Sequence, residues 1–298
     1  MNITITGASG FVGRRLLKAL AQRGHSLHVL SRHGGTNLPP GVRIAVWDAM
    51  KGPPPADSLR DADAVIHLAG EPVAQRWTSE IKRRIRESRV TGTRYLVEGI
   101  ANSSRKPGVL ISASATGFYG SRGDAPLDET SAPGSDFLAE LCVEWEREAF
   151  AARSLGIRVA AIRTGVALDP RGGALQRMLP PFRFGVGGRL GDGKQWVPWI
   201  HLDDLVGIYV FGLESAASGP LNATSPNPVT NADFTRALAK ALRRPAIFPV
   251  PKPALKILFG EMADVLFHSQ RVMPKLTQAA GFQFGFPSID AALQQLLR

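Results

Sequence analysis

The chain has 298 residues, 44% of them hydrophobic and 20% charged, the balance of an ordinary globular protein with room for one large domain or two smaller ones. Its single cysteine, Cys142, excludes an internal disulfide framework and a cysteine metal cluster, and points to a cytoplasmic setting. The formal charge of +11 admits nucleic acid, a membrane surface or a phosphorylated ligand as partners. No apolar run approaches the ~20 residues of a membrane helix. The start, "MNITITGASGFVG", lacks the basic, apolar and cleavage segments of a secretory signal.

In chain order, "NITIT" is a short β-branched strand. "FVGRRLLKALAQRG" has helical apolar spacing and stops at Gly24. "SLHVLSR" and "VRIAVWD" read as the second and third strands. "ADAVIHLAG", apolar on both faces, reads as a buried parallel fourth. A long helix is predicted over "SEIKRRIRESRVTGTRYLVEGIAN", with the basic run at 81–89 on its solvated face. "GVLISASA" is a fifth strand. "DFLAELCVEWEREAFAARSLG" is a helix ending at Gly156, and "IRVAAIRTG" is a sixth strand. This alternation predicts an α/β fold, a doubly wound parallel sheet with right-handed crossovers. Residues 167–200 are looser and rich in Gly, Pro and Arg. "LDDLVGIYVFGLES" then reads as a helix and "GPLNATS" as a strand and turn, before a tail of short helices. The expected division is a dinucleotide-binding domain over 1–166, rejoined by 201–224. A small substrate-side lobe is formed by 167–200 and 225–298.

Between the first strand and helix, "GASGFVG" places Gly7, Gly10 and Gly13 where backbone can approach a pyrophosphate at a helix N-terminus, beside Phe11 and Val12. The second strand ends "VLSRHGG". Ser31 can donate there, Arg32 offers a charged fork, and no carboxylate stands at that spot to repel a 2′-phosphate. NADP(H) is therefore expected over NAD(H).

The GxxGxxG spacing resembles the short-chain dehydrogenase/reductase superfamily. "HLAG" at 67–70, "SASATGFYG" at 112–120 and "WIHLDDL" at 199–205 resemble its extended, epimerase-like branch. "ESRVTGT", "DFLAELCVEWE", "RTGVALDPRGGAL" and "FQFGFPSIDAAL" resemble a narrower group within it, atypical epimerase-family proteins with a short C-terminal domain of unassigned role. The resemblance implies cofactor contacts from Asp48, from Leu68, Ala69 and Gly70, from Glu71, Arg84 and Arg89, and from the "RTGVA" segment ending at Ala167.

Enzymes of the superfamily use a serine with a YxxxK pair on the next helix, since tyrosine must exchange a proton and a nearby ammonium lowers its pKa. Ser114 is the best serine here, with Ser112 its neighbour. The helix offers Phe137 or Leu138 in place of the tyrosine and Leu141 or Cys142 in place of the lysine. Tyr119, in the turn after the strand, is the candidate substitute acid and equally suits a loop anchor. His201 is read as a structural histidine bonded to Asp203 or Asp204. His25, His28 and His33 form no metal site, because a strand alternates its faces and no carboxylates join them.

Arg171, Arg177, Arg183, Arg189 and Lys194, among glycines and tryptophans, suit an anionic or phosphorylated ligand or a mobile basic loop. The partner expected is a small-molecule substrate, with no specific nucleic acid and no membrane. Two functions stand: an NADP(H)-dependent oxidoreductase or epimerase-like enzyme acting near Ser114 on a small, nucleotide-linked or anionic substrate, and a non-catalytic NADP(H) sensor.

Overall fold

Six of the strands expected from the sequence, and a seventh from the "GPLNA" segment, pair into one sheet. A computed structural model describes residues 1–34 and 38–298. The strands are β1 (Asn2–Thr6), β2 (Ser26–Ser31), β3 (Arg43–Val46), β4 (Ala64–His67), β5 (Val109–Ala115), β6 (Arg158–Thr164) and β7 (Gly219–Ala223). Their order is β7-β6-β5-β4-β1-β2-β3, and every pairing is parallel. The order reverses beside β1, and ligands of such sheets bind at that switch point, beyond the carboxyl ends of the strands.

Strand alternation feeds two cores. Ile3, Ile5, Ile66, Ile111 and Ile162 pack with Leu16, Leu17 and Leu20 of α1 (Phe11–Gln22). Leu30, Val65, Leu110 and Val159 pack on the opposite face, with Leu96 and Ile100 of α2 (Ser79–Asn102) and Ala149 of α3 (Phe137–Phe150). Both faces are covered, which is why the central strands read as continuous apolar runs rather than as alternation.

The basic run of α2 is largely ion-paired. Arg83 meets Glu80 and Glu87, Arg86 meets Glu144, and Lys82 meets Glu261.

The segment expected to be loose contains a helix, α4 (Gly173–Arg183). It forms despite Pro180 and Pro181 because Leu175, Leu179 and Phe182 are buried. They join Phe234 and Leu238 of α6 (Asn231–Leu242) in a third core; α5 (Leu202–Glu214), between them in sequence, covers the main sheet. The tail continues as α7 (Lys252–Phe259), α8 (Lys275–Ala279) and α9 (Ile289–Leu296). Among the described residues, no helix is long and apolar enough to cross a membrane.

Candidate functional site

The β1–α1 turn is closed by backbone. Gly7 has φ of +69°, and a Cβ there would stand 2.6 Å from the carbonyl carbon of Leu68. A Cβ on Gly13 would stand 2.2 Å from the Gly7 oxygen. Only glycine brings the loop, the helix and the end of β4 this close. Gly10 caps α1 and, among the described residues, no side chain accepts from the first N–H groups, those of Phe11, Val12 and Gly13. The Phe11 ring lies against Gly172 and Gly173. Beneath the turn, Thr6 Oγ1 accepts from the N–H groups of Leu68 and Ala69 (both 3.1 Å) and bonds the buried His67 ring at 2.7 Å.

Ser31 ends β2 with Arg32 exposed beside it; Gly35, Thr36 and Asn37 of the same loop lie outside the described residues. Asp48 accepts from the N–H of Met50 and lies 3.6 Å from Lys51. Gly70, Glu71, Arg84 and Arg89 come together past β4. Glu71 pairs with Arg84 (3.2 Å), while Arg89 donates to the Glu71 carbonyl (2.9 Å) with its guanidinium close against Gly70. Ala167 sits half-buried in the Val166–Asp169 strand that pairs with Trp199–His201.

Beyond the ends of β5 and β6 lies a cavity of about 400 Å³. Ser114, Ala115, Thr116 and Gly117 form one wall. Leu138, Leu141, Cys142 and Trp145 of α3 form a second, and Met178, Phe234, Leu266 and His268, from the later part of the chain, close it. Arg89 reaches it from α2. On α3, Leu138 and Cys142 face the cavity four residues apart, whereas Phe137 turns to Trp77, ring centroids 5.3 Å apart. Burial pushes the Cys142 thiol up to about 12, so it is neutral.

Ser114 borders this cavity, but its hydroxyl donates to Glu146 Oε1 at 2.6 Å. Glu146 in turn takes a bidentate pair from Arg163, both contacts 2.8 Å, with both side chains buried. Arg163 continues to the Tyr119 hydroxyl (3.0 Å), which donates to Asn222 Oδ1 (2.7 Å). Tyr119 is fully buried and does not border the cavity. Burial holds its hydroxyl up at about 12, above the ordinary phenol range. The structure thus brings Ser114 to the cavity wall and leaves Tyr119 inside the protein, as the anchor of its turn.

His201 accepts from the N–H of Asp203 (3.0 Å), bonds Gln295 through Nε2 (3.0 Å) and stacks on Phe286. Its place is structural, as the cap of α5. The five cations of 171–194 do not line the cavity. Arg171 pairs with Asp169, and Arg177 donates to the Ala74 carbonyl.

With this geometry in view, comparison with known proteins is direct. The model of the NAD dependent epimerase/dehydratase family matches residues 3–224, and a domain of unknown function (DUF1731) matches 250–296. The chain belongs to the NAD-dependent epimerase/dehydratase family. Within this family it is 40% identical to the Arabidopsis thaliana "Epimerase family protein SDR39U1 homolog, chloroplastic", over 100% of this chain and 87% of that one. It is 36% identical to the Bacillus subtilis epimerase family protein YfhF, over 100% and 98%. The crystal structure of human epimerase family protein SDR39U1 with NADPH superposes with a TM-score of 0.89 at 34% identity, covering 100% and 99%. A Corynebacterium glutamicum structure described as a nucleoside-diphosphate sugar epimerase gives 0.80 at 40% identity, covering 58% of that chain.

Sequence reasoning read Trp145 as apolar packing and assigned no role to Glu146 or His268. Nothing local to His268 signals that its loop folds over the end of β5.

Proposed function

We propose that this chain binds NADP(H) across the carboxyl edge of β1, β2 and β4, and presents the nicotinamide to a small-molecule substrate in the cavity, as an epimerase-like oxidoreductase. The observation that carries this is the glycine turn. The loop is so tightly closed on Leu68 and Ala69 that a Cβ at Gly7 or Gly13 would strike backbone, while the N-terminus of α1 is left without a side-chain cap. Gly7, Gly10, Phe11, Val12 and Gly13 would hold the pyrophosphate. Ser31 and Arg32 would take the 2′-phosphate, Asp48 the adenine side, and Leu68, Ala69, Gly70 and Ala167 the nicotinamide half. The human relative solved with NADPH supports the reading. When bound, the cofactor supplies a hydride. This chain's own residues then shape the cavity, exclude water from it and place Arg89 at its wall. His268, which lines the cavity, is the proposed proton carrier.

The test is a titration of the purified protein with NADPH and NADH. NADPH is expected to bind at least about tenfold more tightly, the value of one charge-assisted contact. Equal affinities overturn the assignment.

A second reading, a protein that senses NADP(H) without turning it over, is favoured by one feature. The cavity side of α3 carries Leu138 and Cys142 where an acid and its ammonium are needed, and the Ser114 hydroxyl is committed to Glu146. Single-turnover oxidation of bound NADPH across a carbonyl panel separates the two readings. Oxidation by any member supports the enzyme, and its absence across the panel supports the sensor.

A further inference from the structure

We propose that the cavity accepts a lipophilic molecule bearing one anionic or carbonyl oxygen, held by Arg89, and not a nucleoside diphosphate sugar. This deepens the reading of the cavity as a substrate site and rests on it.

Two observations carry it. The first is the charge census of the walls. Among the described residues, Arg89, His268 and the neutral Cys142 are the ionisable residue types lining the cavity; the rest is dominated by side chains such as Leu138, Leu141, Met178, Phe234 and Leu266. A diphosphate needs several convergent donors, and Arg171, Arg177, Arg183, Arg189 and Lys194, which could supply them, do not line the cavity; Arg171 pairs with Asp169 and Arg177 donates to the Ala74 carbonyl. Among the described residues, Arg89 is the one lysine or arginine that lines this apolar space. Its Nη1 donates to the carbonyls of Glu71 and Ile85, and its guanidinium lies 5.1 Å from the centre of the Trp145 ring. Among the described residues, Nε and Nη2 make no hydrogen bond and no carboxylate lies within 4.0 Å. Burial holds the Arg89 pKa down at about 10, so it stays charged at neutral pH. A desolvated guanidinium with open donors is matched by one ligand oxygen carrying negative charge.

The second observation lies outside the cavity. The chain that continues from its walls exposes large apolar side chains. Phe184 and Val186 follow α4, Ile247 and Phe248 precede α7, and Ile257 and Leu258 end it, shortly before Val265 and Leu266 enter the cavity wall. Such concentrations of exposed apolar surface mark binding sites. These side chains stand in segments next in sequence to the cavity's lining residues, and they suit an apolar ligand better than a nucleotide.

The test is calorimetric titration of the NADP⁺-saturated protein with decanoate, decanol and UDP-glucose. Decanoate is expected to bind, decanol more weakly, and UDP-glucose neither to bind nor to displace decanoate. Arg89→Met should weaken decanoate by about tenfold or more, leaving decanol within about twofold, and Arg89→Lys should restore part of the loss. Met178→Trp, which fills the cavity without touching the cation, should weaken both decyl ligands and leave NADPH affinity unchanged. Absence of decanoate binding, binding indifferent to both substitutions, or UDP-glucose binding more tightly than decanoate each overturns the proposal. Loss of NADPH affinity in Arg89→Met would assign the cation to the cofactor and overturn it as well. If the wild-type protein fails to bind NADPH at all, the dinucleotide reading falls. Decanoate titration of the cofactor-free protein then still decides the chemistry of the cavity.

Discussion

The β1–α1 turn and the β5–α3 corner stand on the same edge of one sheet, and they are built in opposite ways. The turn is defined by backbone: glycines too close for a side chain, an uncapped helix, and a neutral buried cluster in which Thr6 and Thr93 bond the two nitrogens of His67. The corner is defined by side chains. Behind its apolar wall, Ser114 and Tyr119 flank the buried Arg163–Glu146 ion pair in one hydrogen-bonded chain. Backbone geometry preserves a ligand cradle whatever side chains surround it. The corner shows that polar groups beside a cavity can be spent wholly on holding strands and helices together.

The sharpest way to break this contrast is Arg163→Met. It strands the buried Glu146 carboxylate, and removal of one partner from a buried pair costs about 3–5 kcal/mol. Denaturant unfolding should show a loss of that size; a loss under ~1 kcal/mol would mean that the pair is dispensable and free for chemistry.

The neutral cluster should respond to acid instead. Burial, with the nearby Arg89 charge, lowers the His67 pKa to about 4 from 6.5. The unfolded chain therefore takes up a proton that the folded one refuses. The stability is fully present above pH 6.5 and is lost as pH falls towards 4, by up to about 3 kcal/mol. His67→Gln should flatten that stretch of the stability curve, and an unchanged slope would place the titration elsewhere.

Arg32→Asp sharpens the nucleotide side. It should shrink or reverse the preference for NADPH over NADH by about ten- to a hundredfold, equivalent to ~1.5–3 kcal/mol. Parallel titrations of both nucleotides check it.

The smallest effect is expected from Tyr119→Phe. It leaves Asn222 without its donor, for about 1–2 kcal/mol of stability, with NADPH affinity and any turnover unchanged. A large fall in turnover at unchanged stability would return Tyr119 to the reaction.

Much of the sheet and its glycine turn was legible in the residues. The glycine spacing and the alternation of strands with helices are local patterns, and local sterics dictate their outcome. The helix over 173–183 was not legible, because its prolines argue against a helix until the burial of Leu175, Leu179 and Phe182 is known. At the corner, the residues showed that α3 lacks a tyrosine and a lysine, and left two registers open. Packing decided between them by turning Phe137 to Trp77 and Leu138 to the cavity.

By itself, the sequence determined the sheet, its nucleotide turn and the absence of the usual proton-moving pair on α3. The tertiary structure alone decided that Ser114 is committed to Glu146, that Tyr119 is locked inside, that the basic residues of 171–194 avoid the cavity, and that His268 enters it. The physical reason is one of range. Backbone turns and helix periodicity are settled within a few residues. The partner of a hydroxyl or a guanidinium is chosen across separations such as the 103 residues between Tyr119 and Asn222, where nothing but the packed fold brings the two together.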